Sequence, residues 1–183
     1  MAAYSSIIRV HYMSSEKKTL KLKTGTVSKS TSEKIAKLLS ELYGVNPSRY
    51  LPSVLNYTCF NENLCIIYGS KLGLVNLKVL YENSWIAVYT KKRLVPSINI
   101  VRSIYSDQGV KAAIIVKEQG VKAFLYGNDI LLESVLQVVP PVKKLFAVID
   151  SADNEVIGFA AWNPRRRIYE NIYDAGLFLR ELG

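Results

Sequence analysis

The densest chemistry in the sequence is a block of three guanidinium groups, Arg165-Arg166-Arg167, directly after Trp162-Asn163-Pro164. Guanidinium forks suit phosphate because each can give two parallel charge-assisted hydrogen bonds. In a continuing strand, alternation sets Arg165 and Arg167 on one face and Arg166 on the other. In an open turn all three reach one phosphate backbone; the plainer alternative is a solvated cationic turn paired with Glu170 or Asp174. Aromatic side chains interleave with the block. Trp162, Tyr169 and Tyr173 either stack on unpaired bases or are core residues at strand spacing. Lys143 and Lys144, just after Pro140-Pro141, either extend the patch or form a solvated pair.

Little else supports catalysis. The chain has one histidine, His11, which with Cys59 and Cys65 cannot complete a four-ligand zinc site, and two cysteines cannot build a disulfide scaffold. A Cys59–His11 nucleophile pair is conceivable, but buried free cysteine is the stronger expectation. Gly69-Ser70-Lys71-Leu72-Gly73 lacks the spacing of a nucleotide loop and leads into no helix, so it reads as a turn. Glu33, Glu41, Glu62 and Glu82 are scattered, with no pairing suited to acid–base work. No enzyme activity, cofactor or metal is expected.

The 183 residues carry 24 Lys+Arg and 15 Asp+Glu, a net +9, and 49% of them are hydrophobic, enough for a folded core. The excess is one-sided: residues 1–97 hold 14 basic and 5 acidic residues, whereas residues 98–183 hold 10 of each. Lys17, Lys18, Lys21, Lys23 and Lys91–Arg93 form much of that field, which suits RNA, DNA or an anionic membrane surface. Lys-rich proteins from hot environments share such a bias for other reasons. In the neutral half, Asp150, Asp153 and Glu155 gather around one turn. No apolar run approaches the roughly 18 residues of a membrane span, and no signal peptide opens the sequence. A soluble, cytoplasmic protein that does not engage membranes is expected.

These groups need elements to position them. Ser30 and Glu33 have capping-box spacing, and Ile35, Leu38, Leu39 and Leu42 form one helical stripe that Gly44 ends. Asn46-Pro47 predicts a short second helix to about Leu51. Strands are expected at Ile7–Tyr12, Thr19–Lys23, Leu64–Tyr68, Leu74–Leu80 and Trp85–Thr90. Lys91-Lys92-Arg93 and Pro96 mark a boundary, dividing the chain into an α+β domain over 1–97 and a second domain over 98–183. Beyond it, strands are expected at Asn99–Tyr105, Ala112–Val116 and Val121–Tyr126, then a helix at Asn128–Val138. Lys144–Asp150 and Val156–Trp162 flank a turn and predict a hairpin. Many short strands with one helix suggest a small, partly closed β-barrel.

Three segments occur in a recognisable order: Phe124-Leu125-Tyr126-Gly127-Asn128, Gly158-Phe159-Ala160, and Asp174-Ala175-Gly176-Leu177-Phe178-Leu179-Arg180. Ser32-Glu33-Lys34-Ile35 and Thr58-Cys59-Phe60 add fainter matches. Together they resemble the ribosome-assembly family called nuclear import protein seven, in its archaeal form. Ala160 stands where that family usually has Gly, and Ala175 and Leu177 also depart from its pattern; the first 25 residues match nothing in it.

The resemblance implies an N-terminal α+β domain with antiparallel strands and two or more helices, followed by a C-terminal PUA-like barrel. It also implies a non-enzymatic factor for large-subunit pre-rRNA maturation that holds single-stranded, uridine- or AU-rich RNA. Exosome subunits and an SBDS-type assembly factor are its implied partners. It places the RNA on the basic stretch around Arg165, Arg166 and Arg167, with Arg180 in the closing motif either joining that surface or pairing with Asp174. Two other readings stand beside it. One is a protein-interaction adaptor docking through exposed strands at Ile98–Tyr105 or near Gly176; the other is a small RNA-modifying enzyme.

Overall fold

The computed structural model describes residues 22–60, 64–69, 85–90 and 93–177. The strands expected at Ile7–Tyr12 and Leu74–Leu80 lie outside the described residues, as does most of that at Thr19–Lys23 and of the Gly69–Gly73 turn. The chain divides into two compact units, one comprising residues up to 38 with 46–99, the other comprising 39–45 with 100 onward.

The first unit opens with β1 (Leu22–Thr26) and α1 (Lys29–Tyr43). Ser28, not Ser30, caps α1: its Oγ accepts from the Thr31 amide at 3.3 Å, satisfying one of the orphan donors of the first turn. Ile35, Leu39 and Leu42 are buried along the expected stripe. Gly44 then takes φ 67°, a left-handed conformation that costs glycine little. Asn46 Oδ1 accepts from the Ser48 amide at 3.1 Å and starts a single 3-10 turn, Pro47–Arg49.

Four strands follow, β2 (Leu55–Phe60), β3 (Leu64–Gly69), β4 (Trp85–Thr90) and β5 (Leu94–Pro96), making an antiparallel five-stranded sheet in sequence order. Ile35, Leu55, Ile67 and Ala87 form its core. Here the expectation of free cysteines is overturned. Cys59 and Cys65 stand directly opposite each other on β2 and β3, and join in a disulfide. Their separation of six residues spans a tight hairpin, a relation between strands that a count of two cysteines does not contain.

The second unit begins as α2 (Ile98–Gln108), not as the strand expected at Asn99–Tyr105. Ile100, Val101 and Ile104 are buried at i, i+1 and i+4, a helical face written in β-branched residues that ordinarily favour strands. The exposed strand that the adaptor reading placed there is therefore absent. β6 (Ala113–Val116) matches expectation, but the next segment is α3 (Glu118–Leu125), with Gly120, Val121 and Phe124 buried at the same spacing. The helix expected over Asn128–Val138 is likewise replaced. It is β7 (Ile130–Leu131), a 3-10 turn, and β8 (Val135–Val139). β7 pairs with the far strand β11 (Ile168–Asp174) and β8 with β6, so long-range ladders override the local apolar spacing.

β9 (Leu145–Asp150) and β10 (Val156–Asn163) form the expected hairpin and lead into β11. The sheet order is β7-β11-β10-β9-β6-β8, with β6 and β9 parallel and the other pairs antiparallel. Its two edge strands are consecutive in the chain, which curls the sheet into a half-barrel around Ile114, Val116, Phe124, Phe146 and Val148. β10 and β11 approach very closely at Gly158: a Cβ there would lie 2.2 Å from the Tyr173 carbonyl oxygen.

Candidate nucleic-acid interface

Register decides which charges share an end of this sheet. Leu145 pairs with Ala161, so Lys144 and Lys143 precede β9 beside the last residues of β10. Arg165, Arg166 and Arg167 fill the turn that follows β10, at that same end. All five cations are exposed. The β9–β10 turn, carrying Asp153 and Glu155, lies at the opposite end. The half-barrel thus has a cationic end and an acidic one, although its total charge is close to neutral.

The cationic turn is internally fixed. Asn163 Oδ1 accepts from the backbone amides of Arg165 at 3.0 Å and Arg166 at 3.1 Å, an Asx arrangement that holds the chain in its turn. Asn163 Nδ2 donates to Glu170 Oε1 at 2.7 Å. Arg167 closes the turn at φ 55°, a left-handed backbone in which a Cβ is unfavourable by roughly 1–2 kcal/mol. The block is therefore a turn and not a continued strand, and the alternating-face arrangement does not apply.

The three arginines are not equivalent. Arg166 Nη1 donates to Asp129 Oδ2 at 3.1 Å and lies 3.8 Å from Glu170 Oε1. Asp129 Oδ1 in turn accepts from the Asn171 amide at 3.0 Å. Asn171 is buried, and its Nδ2 donates to the Phe124 carbonyl at 2.8 Å and to Asp174 Oδ2 at 3.1 Å. Arg166 thus ties the turn, through one partly exposed carboxylate, to a buried polar hub. Arg165 and Arg167 make no ion pair among the described residues and point their charge to solvent.

The aromatic residues divide in the same way. Tyr173 is buried and stacked on Phe159 at 6.2 Å, and burial with the adjacent Asp174 raises its pKa. Tyr169 is buried edge-on to Phe146, with its pKa also raised by burial. Trp162 packs on the core and is half-buried, its ring 4.9 Å from that of Tyr169. All three serve the core first. Asp174 is buried, with Oδ1 accepting from the Gly176 amide at 2.9 Å, and it is Glu170 that lies near Arg166. Arg180, Lys17, Lys18, Lys21, Lys91 and Lys92 lie outside the described residues. Asp129 was not among the expected site residues; its partner Arg166 is 37 positions away, and no local pattern links them.

Comparison with known proteins bears on this same half of the chain. Residues 112–183 match the UPF0113 PUA domain family. This segment is a PUA domain. PUA domains are RNA-binding modules, so the basic end belongs to a fold that holds RNA. No curated protein matches the chain in sequence. Solved structures share the fold at low identity. A hypothetical protein from Pyrococcus horikoshii OT3 superposes with a TM-score of 0.60 at 15% identity, covering 83% of this chain and 94% of its own. A PUA domain structure from Aeropyrum pernix K1, solved as a tartrate complex, gives 0.59 at 14% identity, covering 89% and 91%. A conserved PUA domain protein from Thermoplasma acidophilum gives 0.57 at 14% identity, covering 87% and 99%.

Proposed function

We propose that the protein is a non-enzymatic RNA-binding factor of large-subunit ribosome biogenesis, acting in the cytoplasm on single-stranded, uridine- or AU-rich pre-rRNA. The observation that carries the RNA part is the exposed Arg165–Arg167 turn on a PUA domain, with Lys143 and Lys144 at the same end of the sheet. Fixed guanidinium groups on a rigid turn set the register of a phosphate chain, while the diffuse lysine excess of residues 1–97 speeds encounter. The assembly role, and exosome subunits or an SBDS-type factor as partners, rest on the sequence resemblance to the nuclear import protein seven family. Among the described residues no helix is long and apolar enough to cross a membrane.

Fluorescence anisotropy with a short labelled oligouridine, titrated against salt, tests this reading. Wild type should bind, with a log–log salt slope of about −0.7 for each phosphate neutralised. Replacing Arg165, Arg166 and Arg167 by alanine should weaken binding at moderate salt far more than replacing Lys17, Lys18 and Lys21 together. Equal losses from the two sets would refute the division of labour, and salt-insensitive binding would refute phosphate recognition.

A further inference from the structure

Trp162, Tyr169 and Tyr173 are committed to the core, which leaves the proposed interface without an aromatic platform for bases. A different residue has the needed properties. Tyr126, at the end of α3, is 79% exposed, the most exposed of the large hydrophobic residues. The turn it begins is held firmly: the Gly127 amide donates to the Phe124 carbonyl at 2.9 Å and the Asn128 amide to the Ala123 carbonyl at 3.1 Å. Asp129, three residues on, is the group that grips Arg166. Three residues span at most about 11 Å between Cα atoms, so the ring is anchored within one or two nucleotide lengths of the arginine turn.

The surface between them is suited to a nucleotide chain. Leu131 is 50% exposed and pairs with Ile168, the residue after Arg167. Asp129 does not present a bare negative charge, because one oxygen accepts from Arg166 and the other from the Asn171 amide. The strip therefore runs from an exposed ring, past a neutralised carboxylate and an apolar side chain, to two solvent-facing guanidinium groups. Unpaired bases stack on aromatic rings irrespective of sequence, while phosphates seek the cations.

We propose that Tyr126 is the base-stacking residue of the RNA site, that Arg165 and Arg167 hold the phosphates, and that Arg166 is a positioning residue fixed by Asp129. This rests on the RNA-binding reading above, which fails separately if the wild-type chain binds no RNA at all. The test uses the full chain, a labelled oligouridine, and an abasic oligomer of equal length. Tyr126→Ala should weaken oligouridine binding about tenfold, and Tyr126→Phe should restore it. On the abasic oligomer, Tyr126→Ala and wild type should bind alike, and the salt slope of Tyr126→Ala should equal that of wild type. The double variant Arg165→Ala with Arg167→Ala should instead flatten the slope on both oligomers. Unchanged oligouridine binding by Tyr126→Ala, or an equal loss on the abasic oligomer, would overturn the assignment of stacking to Tyr126.

Discussion

The two tight turns of the PUA sheet are built on one plan with opposite charge. In the turn after β9, Asp150 Oδ1 accepts from the Ala152 amide and Asp153 Oδ1 from the Glu155 amide, each at 2.9 Å. In the turn after β10, Asn163 Oδ1 accepts from two successive amides. Each contains a left-handed residue, Asn154 at φ 61° and Arg167 at φ 55°. Asparagine enters that region readily, whereas a long side chain does so at a cost. One turn uses a residue that its backbone favours, and the other uses one that its backbone resists. A guanidinium retained at such a position points to selection for what the side chain touches outside the molecule.

The largest effect should come from neutralising the cationic turn. Arg165, Arg166 and Arg167 replaced by alanine should cost about a hundredfold in RNA affinity at moderate salt, at about 1 kcal/mol per lost charge-assisted contact. Neutralising Asp150, Asp153 and Glu155 should leave binding intact or tighten it; a comparable loss there, read by anisotropy, would erase the contrast between the two ends.

A change in the other sheet should separate stability from binding. Cys59→Ser with Cys65→Ser removes a cross-link closing a short loop, worth about 2 kcal/mol in a chain-entropy account. Denaturant unfolding should register that loss, with RNA affinity of the folded protein unchanged.

Cutting the tether of the cationic turn comes next. Asp129→Ala removes an acceptor from both Arg166 and the Asn171 amide, and should cost about 1–2 kcal/mol of stability in denaturant titration. The surface ion pair by itself supplies little of this.

The backbone comparison gives the smallest and sharpest effects. Arg167→Gly should stabilise the fold by about 1 kcal/mol, raising the melting temperature by about 2–4 °C, while weakening RNA binding. Asn154→Gly should alter stability by only about a few tenths of a kcal/mol. Destabilisation by Arg167→Gly in a thermal melt would show that its side chain stabilises the fold.

Sequence reading succeeded where local pattern and tertiary demand agreed. The apolar stripe of α1 and the alternating strands about Asp150–Glu155 are both buried as their spacing dictates. It failed where they disagree. Ile98-Asn99-Ile100-Val101 carries strand-forming residues, yet its burial follows a helical period. Ile130, Leu131, Val135 and Val138 fit a helical face, yet Leu131 and Val138 are exposed and the segment is held by pairing to β11 and β6. The arginine block was legible as a turn-borne cation cluster, because Asn163-Pro164 signals a break. Its inequality was not, since Asp129 and Asn171 reach it only through the folded sheet.

The cationic turn stands on two legs, β10 and β11, and Gly158 lies where those legs nearly touch. Even a single methyl group at that position would act as a wedge against the Tyr173 carbonyl and the Asp174 backbone. The disturbance would enter the hairpin five residues from Asn163, whose carboxamide shapes the arginine turn. A position bearing no charge and meeting no nucleotide would thereby govern the aim of the groups that do.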